Sequence, residues 1–173
     1  MQQEAPLLLL FVQFISFNLL RPIEVCRLRV QDINLKDRVL RVQTKNQIVK
    51  TKIIPELMLS SLPDLSSYNV SDYIFTPTGL GEWMAKEINK RNYFSNRFKK
   101  VKDKLKLGEE YGLYSFRHTY ITKLYRVLRK TASPFEAKSK SMLITGHSSM
   151  IALEKYLRDI DAELPEDYSD LLR

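Results

Sequence analysis

Gly146-His147-Ser148-Ser149-Met150-Ile151-Ala152-Leu153-Glu154-Lys155-Tyr156 holds a turn, a cap and a short helix. Gly146 opens the turn, and Ser149 is placed to cap a last helix running through Leu157. Upstream, Ser133–Leu143 reads as a helix with Pro134 near its start, and Tyr114–Arg129 as a longer one after a break at Tyr111-Gly112. Glu82–Leu107 is helical in pattern, with Phe94, Phe98, Val101 and Leu105 on one face. At the other end, residues 5–18 read as a first helix, and Pro22 starts a second through Leu28, which leaves Arg21 at their junction. Between the two halves, Arg38–Thr44 and Val49–Ile54 alternate apolar and polar residues. They predict a β-hairpin tipped by Lys45-Asn46-Gln47-Ile48. Pro55 opens a short helix through Leu62, Tyr73–Phe75 is a short strand, and Thr76–Gly81 a loop. The predicted fold is mainly α with a small β-hairpin or sheet, in the α+β class.

The chain has 173 residues, which fits one domain over 1–173 with a tail from 157. With 44% hydrophobic and 28% charged residues it has the composition of a globular domain, and it is large enough to bury a self-sufficient core. The lone Cys26 excludes an internal disulfide and a cysteine-clustered zinc site. The apolar stretch Leu7–Leu20 is broken by Gln13, Ser16 and Asn18, too short and polar to span a bilayer. It lacks the flanks of a signal peptide, so a buried helix in a cytoplasmic protein is expected.

The net charge of +8 is concentrated. Lys86–Lys106 carries nine Lys or Arg and two acids, whereas the tail is acidic, with Asp159, Asp161, Glu163, Glu166, Asp167 and Asp170. A basic helix is often only a solvated face. One apolar stripe flanked by charge of a single sign points instead to a surface that tracks phosphates, with Lys90, Arg91, Arg97, Lys99 and Lys100 as contacts. No glycine-rich phosphate loop appears, and no carboxylate cluster accompanies His118 or His147. Neither a metal nor another cofactor is expected.

Taken singly, Arg21, Lys45, Arg117, His118, His147 and Tyr156 each have an ordinary structural reading. Their order and spacing change that. Leu20-Arg21-Pro22-Ile23-Glu24 is followed by Lys45 in a hairpin, then Tyr114-Ser115-Phe116-Arg117-His118, then Gly146-His147-Ser148-Ser149 and Tyr156. This pattern resembles the catalytic domain of the tyrosine recombinases, the phage-integrase family, from the first helix to Tyr156. By that resemblance Arg21 and Arg117 hold the scissile phosphate, and Lys45 protonates the leaving 5′-oxygen. His147 contacts the phosphate, Tyr156 is the nucleophile, Glu24 supports the site, and His118 belongs to the second motif. Tyr168, in the acidic tail, is a weaker candidate for the nucleophile.

The second motif of that family usually begins with histidine, where this chain has Tyr114. A phenol donates a hydrogen bond well but is a poor base at neutral pH. The proton of Tyr156 is then left to His118 or to water, with Tyr114 positioning the phosphate. The residue types suit the chemistry independently. Two guanidiniums stabilise charge on non-bridging oxygens, and a positive field is what turns a phenol into a nucleophile. A phosphotyrosine conserves the bond energy, so rejoining needs no ATP.

The resemblance implies a site-specific recombinase, integrase or transposase of a mobile element, acting on double-stranded DNA in a bacterial nucleoid. A homo-tetramer on paired sites is expected of the full-length protein and a monomer of the isolated domain. The family's N-terminal DNA-clamping domain has no counterpart among these residues. Competing readings are a DNA-binding module of the same fold with impaired catalysis, a type IB topoisomerase-like enzyme, and a basic domain on a membrane surface.

Overall fold

The computed structural model describes residues 5–44, 48–157 and 169. Lys45 and the acidic tail, including Tyr168, therefore lie outside the described residues. The elements run α1 (Ala5–Ser16), α2 (Pro22–Arg27), a 3-10 turn (Val30–Asp32), β1 (Ile33–Asn34), β2 (Val39–Gln43), β3 (Val49–Ile53) and α3 (Glu56–Leu59). They continue with β4 (Tyr73–Thr76), β5 (Gly79–Gly81), α4 (Glu87–Lys104), α5 (Leu113–Arg129), α6 (Pro134–Thr145) and α7 (Met150–Leu157).

The expected hairpin is present as β2 and β3, antiparallel with Val42 opposite Lys50 and Leu40 opposite Lys52. A short β1 extends it to three strands. Thr76–Gly81, read as a loop, instead turns back as β5 against β4, with Gly79 and Gly81 at φ of 119° and 144° that other residues rarely adopt. The basic helix starts at Glu87 rather than Glu82.

Two apolar cores hold these elements. The first joins α1, α2, the hairpin, β4 and α4, with Phe11 stacked on Phe94 at 4.2 Å and Phe75 edge-on to both. The second joins α5, α6 and α7 through Ile121, Tyr125, Ala137, Leu153 and Leu157, and takes Leu19 from the link after α1. Along α4 the predicted apolar face is buried at Phe94 and Phe98 but exposed at Val101 and Leu105.

The ends of α6 and α7 show local sequence logic. Ser133 and Glu136 cap α6 reciprocally behind Pro134. Gly146 closes it in the left-handed conformation at φ 74°. Ser149 Oγ then accepts from the Ala152 amide and starts α7. These three devices aim His147 and Tyr156 back at the junction between the two cores.

Candidate active site

Arg21 enters the junction from the α1–α2 link. Its backbone is extended ahead of Pro22, as the ring requires. Buried Glu24, one turn into α2, accepts both the Arg21 amide at 2.8 Å and the guanidinium at 3.0 Å. The same carboxylate therefore caps the helix and fixes the arginine.

Arg117 rises from α5 and is 1% exposed. Its Nε, Nη1 and Nη2 are all buried with no hydrogen-bond partner among the described residues. Its guanidinium carbon lies 5.6 Å from the centre of the Tyr156 ring. A buried unpaired cation is strongly unfavourable, so the arrangement is built to receive an anion.

Tyr156, on α7, is surrounded by rings: His118 at 4.5 Å, His147 at 4.8 Å and Tyr114 at 6.1 Å between centroids. Its hydroxyl is hydrogen-bonded to that of Tyr114. Burial and that bond push the Tyr114 phenol up from its usual range, against the pull of Arg117 and Arg21, so Tyr114 stays protonated at neutral pH. His147, 7% exposed, pairs Nδ1 with Thr145 Oγ1 at 2.6 Å. Burial and the neighbouring Arg117, Arg21, Lys52 and Lys50 bring its pKa down to about 4.

The structure thus brings Arg21, Glu24, Tyr114, Arg117, His118, His147 and Tyr156 into one cluster. Lys45 lies outside the described residues, whereas the end of β2 that precedes it in sequence is described. Arg27 donates to the carbonyls of Gln43 and Thr44 at 3.1 and 2.9 Å while gripping Glu87 with its other nitrogens.

Two lysines beside the cluster escaped the sequence reading. Lys50 Nζ donates to the Gly146 carbonyl at 2.5 Å, and Lys52 Nζ to those of Asn18 at 2.6 Å and Thr145 at 3.3 Å. The hairpin is so fastened to the turn that carries His147. The alternation of β3 was legible, but its facing was not. Val49 and Ile53 point outward at 60% and 65% exposure, and the lysines point in.

Burial and Arg117 push Lys52 down to about 7 from an ordinary lysine value. Its native pKa is depressed, so between pH 7 and about 10 the unfolded chain binds more protons than the native one. Stability is expected to rise from pH 7 to 8.5, by at most about 1.4 kcal/mol per pH unit. Urea melts at the two pH values check this, and Lys52→Met should remove the rise.

Lys90 requires correction as a phosphate contact. It is 3% exposed, with its ammonium 3.3 Å above the Tyr73 ring and near Trp83. There it serves packing by a cation–π contact. Arg91, Lys99 and Lys100 are exposed, and Arg97 lies over Tyr93. A groove of 840 Å³ beside Tyr156 adds Lys123 and Arg126 of α5 and Lys130 just after it. Among the described residues no three metal-ligating side chains converge, and no helix is long and apolar enough to cross a membrane.

Residues 3–160 match the phage integrase family. No protein of curated function matches the chain. Among solved structures it is similar to XerA recombinase, with 19% identity and a TM-score of 0.66 over 98% of this chain and 58% of that one. It is similar to XerH site-specific recombinase bound to difH substrate before cleavage, with 14% identity and a TM-score of 0.63 over 99% of this chain and 48% of that one. It is also similar to the Tn1549 transposon integrase in complex with transposon right end DNA, with 16% identity and a TM-score of 0.58 over 94% of this chain and 61% of that one. The chain thus spans about half to three fifths of these proteins, and the likeness is one of fold.

Proposed function

Since this chain belongs to the phage integrase family, the tyrosine recombinases, we propose that its protein cuts and rejoins double-stranded DNA at specific sites through a covalent 3′-phosphotyrosyl link to Tyr156. The carrying observation is the buried Arg117 guanidinium, without a partner among the described residues, beside the Tyr156 ring. A scissile phosphate supplies the missing anion. Arg117 and Arg21 hold its non-bridging oxygens and neutralise the charge that builds there, typically the largest contribution to such catalysis. Glu24 holds Arg21 in place for this. Lys45, by the family resemblance, is the acid for the leaving 5′-oxygen, and it follows in sequence the β2 end that Arg27 holds.

Recombination requires two sites, so the full-length protein acts as a tetramer on paired DNA in the bacterial cytoplasm. Integration or transposition is proposed as the outcome, in keeping with the family's description as phage integrases. Incubating the full-length protein with a nicked suicide duplex of its cognate site, with EDTA present, tests the chemistry. A covalent adduct mapping to Tyr156 is expected. Binding without an adduct would leave an impaired DNA-binding module. Relaxation of supercoiled plasmid without strand exchange would favour a topoisomerase.

The exposed cations of α4 are assigned to the phosphate backbone. Changing Lys99 and Lys100 together to Gln should reduce the slope of log affinity against log salt by about 2, since each phosphate contact releases about one counterion. Affinity should fall alike for cognate and unrelated duplexes in filter binding from low to moderate salt.

A further inference from the structure

The cluster draws on both apolar cores, and the chain ahead of Arg21 crosses between them. Leu19 packs into the second core and Leu20 into the first. Tyr156 packs against the second core. Groups that must grip one phosphate therefore hang from two bodies, and something has to fix their spacing. We propose that Lys52 is a positioning residue for cleavage, its ammonium bridging the Asn18 and Thr145 carbonyls so that the link carrying Arg21 is held against the turn carrying His147. This rests on the cleavage chemistry proposed above.

The bridge ends close to the groups it governs. Asn18 lies just ahead of Arg21 in the chain, and Thr145 just ahead of His147. Lys52 Nζ donates to the Asn18 carbonyl at 2.6 Å and to the Thr145 carbonyl at 3.3 Å. Asn18 Nδ2 in turn donates to the Ile53 carbonyl at 3.1 Å, so the link is tied to β3 at two points. Lys50, two residues back on the same face of β3, holds the Gly146 carbonyl.

The choice of a cation follows from the acceptors. Thr145 and Gly146 close α6, where carbonyls lack partners within the helix and the dipole is negative. An ammonium suits that end, and its three protons let it serve a second carbonyl at once. The link itself is strained. Leu19 has φ of 54°, a conformation unfavourable for leucine that persists only where its surroundings impose it. The bonds from β3 to Asn18, together with burial of Leu19, supply that constraint. Arg117 of α5, Arg21 of the link and Lys50 of β3 repel the ammonium, while Glu24 of α2 attracts it. A phosphate anion seated at the two arginines offsets the repulsion, so the bridge is strongest when DNA is bound.

Single-turnover cleavage of the nicked suicide duplex by the full-length protein, at saturating DNA, tests this. Lys52→Met keeps most of the stem and removes the bridge. Its rate should fall at least about 30-fold, since small misplacements of reacting groups are costly. Its DNA affinity should stay within a few fold, because affinity is spread over many phosphate contacts. Lys52→Arg, with donors for both carbonyls, should keep at least about ten times the Lys52→Met rate. Leu40→Val trims the buried residue directly opposite Lys52 and touches neither carbonyl. It should lower stability to urea yet cleave within about threefold of wild type. A double-mutant cycle separates positioning from direct contact with the phosphate. In a His147→Ala background the spacing serves one partner fewer, so Lys52→Met should cost less than about fivefold. The assignment is overturned by a Lys52→Met enzyme as fast as wild type, by an undiminished loss in the His147→Ala background, by a Lys52→Arg enzyme no faster than Lys52→Met, or by a Leu40→Val enzyme as slow as Lys52→Met. Failure of the wild type itself to form an adduct on bound cognate DNA would overturn the cleavage reading instead.

Discussion

Tyr156→Phe is expected to abolish the covalent adduct on a suicide substrate, a loss of at least about 10³-fold, while DNA binding changes little. The substitution removes one oxygen and leaves the ring among His118, His147 and Arg117. Stability should drop by no more than about 1 kcal/mol, because the lost bond joins two partly exposed hydroxyls. The neighbouring phenol makes this variant informative. Tyr114 Oη touches Tyr156 Oη and feels the same two arginines. It stands on α5, however, one turn before Arg117, and its proton is held more tightly than usual. No adduct should therefore appear at Tyr114. Trapping followed by peptide mapping decides the matter, and a residual adduct at Tyr114 would break the assignment of a single nucleophile.

Arg117→Met should move activity and stability in opposite directions. Cleavage should fall by about 10²–10³-fold or more, since a main stabiliser of charge on the phosphate is lost. Stability without DNA should increase by about 1–4 kcal/mol. No hydrogen bond among the described residues compensates the buried guanidinium, and the Tyr156 ring 5.6 Å away offsets only part of the cost of desolvating it. Methionine fills similar volume without charge. Relief for Lys52 and His147, both of which feel Arg117 as a repelling neighbour, adds to the gain. Urea denaturation gives the stability, and single-turnover cleavage the activity. A destabilised Arg117→Met protein would mean that the arginine is satisfied without phosphate. The expected trade, stability given up for an anion site, is common where function needs preorganised charge.

The helices, the hairpin and most residues of the candidate cluster were open to sequence reading because each rests on short-range chemistry. Pro22, Ser133, Pro134, Gly146 and Ser149 are start and stop signals acting within a turn of themselves, and they place Arg21, His147 and Tyr156 at element ends. What escaped is of two kinds. The β4–β5 turn contains only Gly79 and Gly81 to mark its second strand, too few residues for a period to emerge. Lys90 and the β3 lysines were misjudged or missed because charge usually implies exposure. Lys90 is buried only because Tyr73 and Trp83 arrive from other segments, and Lys50 and Lys52 turn inward only because the ends of α1 and α6 offer them carbonyls.

By itself the sequence determined which side chains are candidates for the site, since their types, order and local geometry are written within short segments. Only the tertiary structure decided how they are charged and protonated. The guanidinium without a hydrogen-bond partner among the described residues, the lysine brought down to about 7 and the histidine brought down to about 4 all depend on burial and on cations from segments remote along the chain. Desolvation and Coulomb interactions act through space and leave no period in a sequence.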